Sequence, residues 1–79
     1  MRTNGNKIVK IGTKVRYRSA FGFGNDVEAT IVDIELCDHQ HQKYGEIVSE
    51  VDVDNLYRCS ITLDNGHWAY GYQVDEIIG

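Results

Sequence analysis

The sequence predicts a small all-β domain whose strands form a barrel. Three observations support this prediction: short stretches that alternate apolar and polar residues, glycines at the breaks between them, and an Asn65-Gly66 pair between two such stretches near the end. At 79 residues the chain is predicted to be one domain, residues 1–79, because a second hydrophobic core would need more material.

The first third of the chain contains two strand candidates and a loop. Residues 1–6 are polar and are expected to be flexible, whereas residues 7–11 alternate weakly and predict a short edge strand. Residues 14–18 place two apolar side chains on one face and three bases on the other, which predicts a half-buried strand. Residues 19–26 hold closely spaced glycines and therefore predict a loop.

Residues 27–36 form the longest strand candidate, and their apolar pattern changes phase. The apolar positions begin with Val27 and Ala29, reach Ile31, and then continue one residue out of step from Val32. Side chains alternate strictly along a strand, so both sets reach one face only if an extra residue is inserted. The sequence therefore predicts a β-bulge near Ile31 and Val32 and a sharp bend in the strand.

The middle of the chain is less regular. Residues 37–46 are polar without a period, which predicts an exposed excursion. Residues 47–56 fit neither a helix nor a strand, so a helical turn starting near Ser49 and an extended segment both stay open.

The last third predicts a hairpin. Residues 57–64 and 67–72 flank Asn65-Gly66, which is a strong signal for a two-residue type I′ turn. In that register Leu63 is opposite Trp68, and one face carries Cys59, Ile61, Leu63, Trp68, Tyr70 and Tyr72. We predict this face to be core; the alternative is an aromatic edge left exposed for base stacking or a peptide groove.

Together, about five short antiparallel strands, a glycine-rich first loop, a bent strand and a tight terminal hairpin predict an SH3-like barrel. An OB-like barrel is the alternative, although that fold usually needs a longer chain and a helix between its third and fourth strands.

Two segments also carry a family resemblance. Residues 12–17, Gly-Thr-Lys-Val-Arg-Tyr, and residues 63–68 continuing through 74–77 resemble the two ends of KOW- and Tudor-type SH3-like domains. The pattern is also similar to small uncharacterised proteins of bacteria and phages. The resemblance implies binding of peptides, RNA or ribosomal surfaces without catalysis. The aromatic cage of methyl-lysine readers is not evident in this sequence, so that function is not carried over.

The charges are unevenly distributed along the chain. The net charge is −4, yet residues 1–18 contain bases and no acid, and residues 19–79 contain only Lys43 and Arg58 against twelve acids. One interpretation is attraction between oppositely charged strands. The other is a basic face for nucleic acid, for which the candidate residues are Lys10, Lys14, Arg16 and Arg18.

Four aromatic residues are candidates for binding a protein. Phe21 and Phe23 lie in the glycine-rich loop, where they either anchor a partner or fold back to plug the barrel. Tyr44 in the polar excursion and Trp68 in the hairpin complete this set.

Signals for metal binding and catalysis are weak. Cys37, His39 and His41 recur at every second residue and are candidate metal ligands, the alternative being a solvated polar loop. The acids of residues 46–54 lack the pattern of a calcium loop, and Asp64 opposite His67 lacks an evident nucleophile. We therefore predict no enzyme activity and no cofactor.

The sequence thus predicts a non-catalytic module that binds a protein or peptide. Nucleic-acid binding through the basic strands is one alternative, and sequestration of a small ligand or an inhibitory phage-type role is another. No apolar run reaches the length of a signal or membrane-spanning segment, so we expect a cytoplasmic protein with free thiols at Cys37 and Cys59. Self-association stays an open alternative for so small a barrel.

Overall fold

The computed structural model describes residues 3, 5 and 7–79. The strands are β1 (Ile8–Lys10), β2 (Lys14–Arg18), β3 (Asp26–Leu36), β4 (Glu46–Val48), β5 (Glu50–Asp52), β6 (Cys59–Leu63), β7 (Trp68–Tyr70) and β8 (Val74–Ile77). A helical turn (Ser19–Gly22) follows β2, and two 3₁₀ helices (Val53–Arg58 and Gly71–Gln73) precede β6 and β8. The prediction of a flexible start rests largely on Met1, Arg2, Asn4 and Asn6, which lie outside the described residues.

The described strands form two open antiparallel sheets. The larger has the order β7-β6-β3-β2-β8 with β4 added to β3, and the smaller pairs β1 with β5. The prediction of an all-β fold is therefore confirmed. The edge strand expected near the N-terminus is β1, and the half-buried strand is β2, in which Val15 and Tyr17 are buried while Lys14 and Arg18 are exposed.

The longest strand, β3, bends at the predicted bulge. Its pairing with β6 shifts by one residue between Ile31 and Asp33. Ile31 and Ile34 are fully buried, whereas Val32 between them is 39% exposed. The inserted residue restores the phase of the apolar side chains, so β3 pairs with β2 in its first half and with β6 in its second.

Residues 47–56, which the sequence pattern left open, are mostly extended at first and helical only from Val53, and not from near Ser49 as the helical alternative had it. β5 is extended over Glu50–Asp52, and the first 3₁₀ helix begins directly after it at Val53. Leu56 in this helix is fully buried. A strand and a helix have different periods of side-chain exposure, so a stretch that contains a short piece of each matches neither the helical nor the strand pattern.

One cluster of buried apolar side chains forms the core, and every described strand except β4 contributes to it. Its members are Val9, Val15, Tyr17, Ala29, Ile31, Ile34, Val51, Leu56, Cys59, Ile61, Leu63, Ala69, Val74 and Ile77. Cys37 is also buried, and both cysteines are free thiols, as predicted.

The terminal hairpin has a three-residue connection, residues 64–66, and not the predicted two-residue turn. Leu63 and His67 close this connection, with the Leu63 amide donating to the His67 carbonyl at 2.9 Å. Of the three loop residues only Gly66 has a positive φ, at 85°. This is the pattern of a type I turn followed by a left-handed glycine, so the prediction of a type I′ turn is wrong.

The longer connection shifts the register of β7 by one residue, and a shift of one moves every side chain to the opposite face. Ala69 lies opposite Ile61 and is buried, whereas Trp68 and Tyr70 alternate with it and stay partly exposed. The prediction of a core face was right for β6 and wrong for Trp68, Tyr70 and Tyr72. The interior beside Ile61 accommodates a methyl group, so the large rings lie outside.

Candidate functional site

The register of β7 creates a row of aromatic rings on the outer side of the sheet. The row consists of Phe21, Trp68, Tyr70 and Tyr72, and we call it the aromatic row. Phe21 contacts Trp68 edge to face with ring centroids 5.9 Å apart, and Trp68 contacts Tyr70 in the same manner at 5.1 Å. Tyr70 stacks on Tyr72 at 5.5 Å with 14° between the ring planes. All four rings are partly accessible to solvent.

Gln73 holds the tyrosine end of the row in place. Its side-chain carbonyl accepts a hydrogen bond from the Tyr70 amide at 2.8 Å, and its amide group donates to the Arg18 carbonyl at 2.9 Å. Gln73 is itself buried. The second 3₁₀ helix, which carries Tyr72, is thereby joined to the end of β2.

The loop after β2 brings Phe21 to the other end of the row. The Ser19 amide and hydroxyl both donate to the Asn25 carbonyl, at 3.0 and 2.9 Å, which closes the loop. Within it Ala20 and Phe21 have left-handed backbones, with φ of 51° and 57°. Such conformations cost about 1–2 kcal/mol for residues other than glycine, and they concentrate at functional sites.

The two phenylalanines of this loop have different environments. Phe21 is 57% exposed and contacts two rings of the row, whereas Phe23 is 92% exposed and extends into solvent. Neither side chain plugs the core. Tyr44 is also exposed, at 70%.

A groove of about 630 Å³ runs beside the row, and we call it the Phe21 groove. Its lining residues are Tyr17, Ser19, Ala20, Phe21, Val27, Asn65, His67, Trp68 and Gln73. The Tyr17 ring is buried in the core, and its hydroxyl accepts a hydrogen bond from the Asn65 side chain at 3.1 Å. An apolar groove with a few fixed polar groups is the usual form of a ligand site.

The polar excursion folds back over the aromatic row. His41 makes edge-to-face contacts with Tyr70 at 5.7 Å and Tyr72 at 4.9 Å. The Lys43 ammonium lies 4.4 Å from the centroid of the Trp68 ring and 5.3 Å from that of Tyr44. The structure therefore brings Trp68 and Tyr44 together through one cation.

Most of the basic residues proposed for nucleic-acid binding form ion pairs with acids on the neighbouring strands. Arg16 donates to Glu28 at 2.8 Å and also pairs with Glu76. Lys14 pairs with Glu28 and Arg18 with Asp26, whereas no ion pair joins Lys10 to a described residue. The hydrogen bond from Arg16 lowers the pKa of the Glu28 carboxyl. Three of the four predicted nucleic-acid contacts thus serve attraction between strands.

The metal candidates do not converge. The buried Cys37 thiol donates to the Gln42 carbonyl at 3.2 Å, and burial raises its pKa. His39 is exposed, and His41 is turned onto the tyrosines. Residues 3, 5 and 7–79 contain no group of three or more His, Cys, Asp or Glu side chains that could hold a metal ion.

Asp64 and His67 do not form the acid-base pair considered from the sequence. The Asp64 carboxylate accepts a hydrogen bond from the Thr30 amide at 3.0 Å. His67 lies opposite Leu63 because of the longer connection. The acids at positions 46, 50, 52 and 54 are all exposed.

Two features of the site differ from the favoured sequence prediction. The sequence favours a core position for Tyr70 and Tyr72 over the alternative of an exposed aromatic edge, and it indicates no role for Lys43. A signal for the first was present in Asp64-Asn65-Gly66, because a glycine at the third loop position also suits a three-residue hairpin. The cation over Trp68 has no local sequence signal, since it depends on the return path of a loop.

Comparison of the chain with protein-family models, curated proteins and solved structures found no match in any of the three. None of the helices within the described residues is long and apolar enough to cross a membrane.

Proposed function

We propose that the chain is a non-catalytic binding module that takes a protein or peptide segment on its aromatic row and in the Phe21 groove. The observation that carries this proposal is the outward position of Trp68 and Tyr70 beside Phe21. Large aromatic side chains left partly in water next to a groove are typical of protein interfaces, where Trp and Tyr supply a disproportionate share of the binding energy.

The backbone of the Phe21 loop supports the same proposal. Left-handed conformations at Ala20 and Phe21 are unfavourable, and such conformations cluster at functional sites. They position the Phe21 ring against Trp68 at the edge of the groove. Asn65, which is exposed and held by its hydrogen bond to the Tyr17 hydroxyl, adds a fixed polar group that can orient a bound peptide backbone.

We further propose that the fold is an SH3-like barrel. The strand order supports this: β6, a tight connection, β7, a short turn of helix and β8 follow one another at the end of the chain, and β8 returns to pair with β2. This succession is the one that the resemblance to KOW- and Tudor-type domains implies. Two free buried cysteines also suit the reducing cytoplasm, where we propose that the protein acts.

Nucleic-acid binding is the second candidate, because the partly exposed rings of Trp68 and Tyr70 are suitable platforms for base stacking. The ion pairs of Lys14, Arg16 and Arg18 reduce the positive charge available for phosphate contacts. We therefore rank it below protein binding.

The proposal is tested by capturing partners from the protein's own cells with three forms of the chain. These are the unmodified protein, Phe21→Ser and Phe23→Ser. The two substitutions change the same residue type in the same loop, but Phe21 belongs to the aromatic row, whereas Phe23 extends into solvent. Native mass spectrometry then identifies bound protein, nucleic acid or small molecules by their added mass and gives the oligomeric state.

The expected result is a protein or peptide that is captured by the unmodified chain and by Phe23→Ser and is lost from Phe21→Ser at unchanged folding. A partner that Phe21→Ser retains would refute the groove as the binding site. A nucleic acid whose binding weakens steeply between low and physiological salt would favour the second candidate, and a bound small molecule would favour ligand sequestration.

A further inference from the structure

The most specific contact on the aromatic row is made by a cation of the chain itself. The Lys43 ammonium is 4.4 Å from the centre of the Trp68 ring. Ammonium and guanidinium groups within about 6 Å of a ring face are attracted by its negative electrostatic surface, and tryptophan attracts them most strongly. The face of Trp68 is therefore a cation site that is occupied in the free protein.

The loop that delivers Lys43 is attached to the row by the ring contacts of His41 and the cation contact of Lys43, which a ligand can replace, while the buried Cys37 thiol holds its base. His41, near its centre, has a left-handed backbone with φ of 70°, which is unfavourable for a residue other than glycine. The His41 ring contacts with the two tyrosines offset this strain. The Gln42 side chain donates a hydrogen bond to the Tyr44 carbonyl within the loop, and the Gln42 carbonyl accepts one from the Cys37 thiol where the loop begins. No core side chain of the described cluster belongs to residues 38–45.

The chain is acidic overall, with a net charge of −4, and Asp54 and Asp75 line a cleft together with Tyr72 at the end of the row, which favours a positive partner. Beyond residue 18 the chain has only two bases, Lys43 and Arg58, against twelve acids. Of these two bases, Arg58 donates to the Cys37 carbonyl, and Lys43 lies on the aromatic row. Within the described residues, only Asp26, Glu28 and Glu76 among the acids form ion pairs.

We propose that the partner segment carries lysine or arginine side chains, and that Lys43 occupies in the free protein the position that one of these cations takes in the complex. This inference rests on the proposed function and specifies its ligand chemistry. Lys43 then acts as an internal competitor, which the partner displaces from Trp68.

The test uses Trp68 as the reporter, because it is the single tryptophan of the chain. An oligoarginine peptide is titrated into the unmodified protein, Lys43→Ala and Lys10→Ala, with the change of Trp68 fluorescence as the readout. Lys10→Ala is the matched control: it removes the same charge from β1, where Lys10 makes no contact with the row. The same peptide with citrulline in place of arginine controls for shape without charge.

Removing the internal competitor should tighten oligoarginine binding by roughly two- to fivefold beyond the effect of Lys10→Ala, the ratio expected for one exposed cation–π contact. Equal affinities of the two variants would overturn the inference, as would citrulline peptide binding as tightly as oligoarginine. An oligothymidine that changes Trp68 fluorescence where oligoarginine does not would also overturn it, in favour of base stacking.

Failure of this inference is distinguishable from failure of the proposed function. Oligoarginine could leave the Trp68 fluorescence unchanged while Phe21→Ser still loses a captured protein. The proposed binding function would then be supported, and the preference for a cationic partner would be refuted. If Phe21→Ser retains its captured protein, the proposed binding site itself fails.

Discussion

Among the glycines that the structure describes, Gly71 is the one where an added Cβ would meet the closest neighbouring atom. It begins the second 3₁₀ helix and is buried against the first. A Cβ at Gly71 would lie 2.7 Å from the carbonyl carbon of Leu56 and closer still to that carbonyl's oxygen. Real Cβ atoms essentially never approach within 3.0 Å. Because the obstructing atoms belong to the backbone, the two 3₁₀ helices must move apart in Gly71→Ala.

The cost follows from what has to move. Adding methylenes to a packed core typically costs about 1–3 kcal/mol when side chains can adjust. Here backbone must shift and Leu56, a fully buried core residue, shifts with it. We therefore expect Gly71→Ala to lose about 3 kcal/mol or more. For a chain of 79 residues the whole free energy of unfolding is roughly 4–12 kcal/mol. The melting temperature should then fall by about 12 °C or more.

The assay is urea unfolding followed by Trp68 fluorescence, with Gly66→Ala as the matched control. Gly66 has a φ of +85° but no atom within 4 Å of an added Cβ, so its substitution should cost only the left-handed backbone of alanine, about 1–2 kcal/mol. A loss in Gly71→Ala no greater than that in Gly66→Ala would refute the steric argument.

Three further predictions concern charge, thiols and a buried amide. The hydrogen bond from the Arg16 guanidinium lowers the pKa of the Glu28 carboxyl below its ordinary 4.5. The stability that this ion pair contributes is therefore complete above pH 4.5 and is lost as the pH falls through the lowered pKa of Glu28 in the folded protein. Arg16→Gln should therefore destabilise at neutral pH and much less in strong acid; an equal loss at both would contradict this. Burial raises the pKa of Cys59 to about 11 and also raises that of Cys37, so at neutral pH alkylation should proceed only as fast as the protein unfolds. Rapid labelling of the folded chain would refute the burial. Gln73→Ala removes two hydrogen bonds from the buried amide and should cost about 1–3 kcal/mol in thermal unfolding; a change within measurement error would contradict its structural role.

Local patterns predicted much of the fold correctly. The alternation in β2 identified its buried and exposed faces, and the change of phase at Ile31 and Val32 identified the bulge of β3. Both are short-range signals, because the pleat of one strand determines which of its own side chains share a face. For the same reason the glycine-rich stretch after β2 was correctly predicted as a break in the sheet.

The hairpin register could not be decided in this way. Asn65-Gly66 suits a two-residue turn, and Asp64-Asn65-Gly66 suits a three-residue one. The choice depends on which residue of β7 fits the core beside Ile61, and Ala69 fits there. That choice placed the aromatic row outside, and with it the candidate site.

The sequence by itself determined the all-β class, the bulged central strand, the loop carrying Phe21 and the separation of basic and acidic segments, since each depends on neighbouring residues. Tertiary structure alone decided that Arg16 would be paired with acids of other strands, that Trp68 would face outward, and that Lys43 would lie over its ring. These outcomes depend on contacts between residues far apart in the chain, and the fixed volume of a small core selects among them.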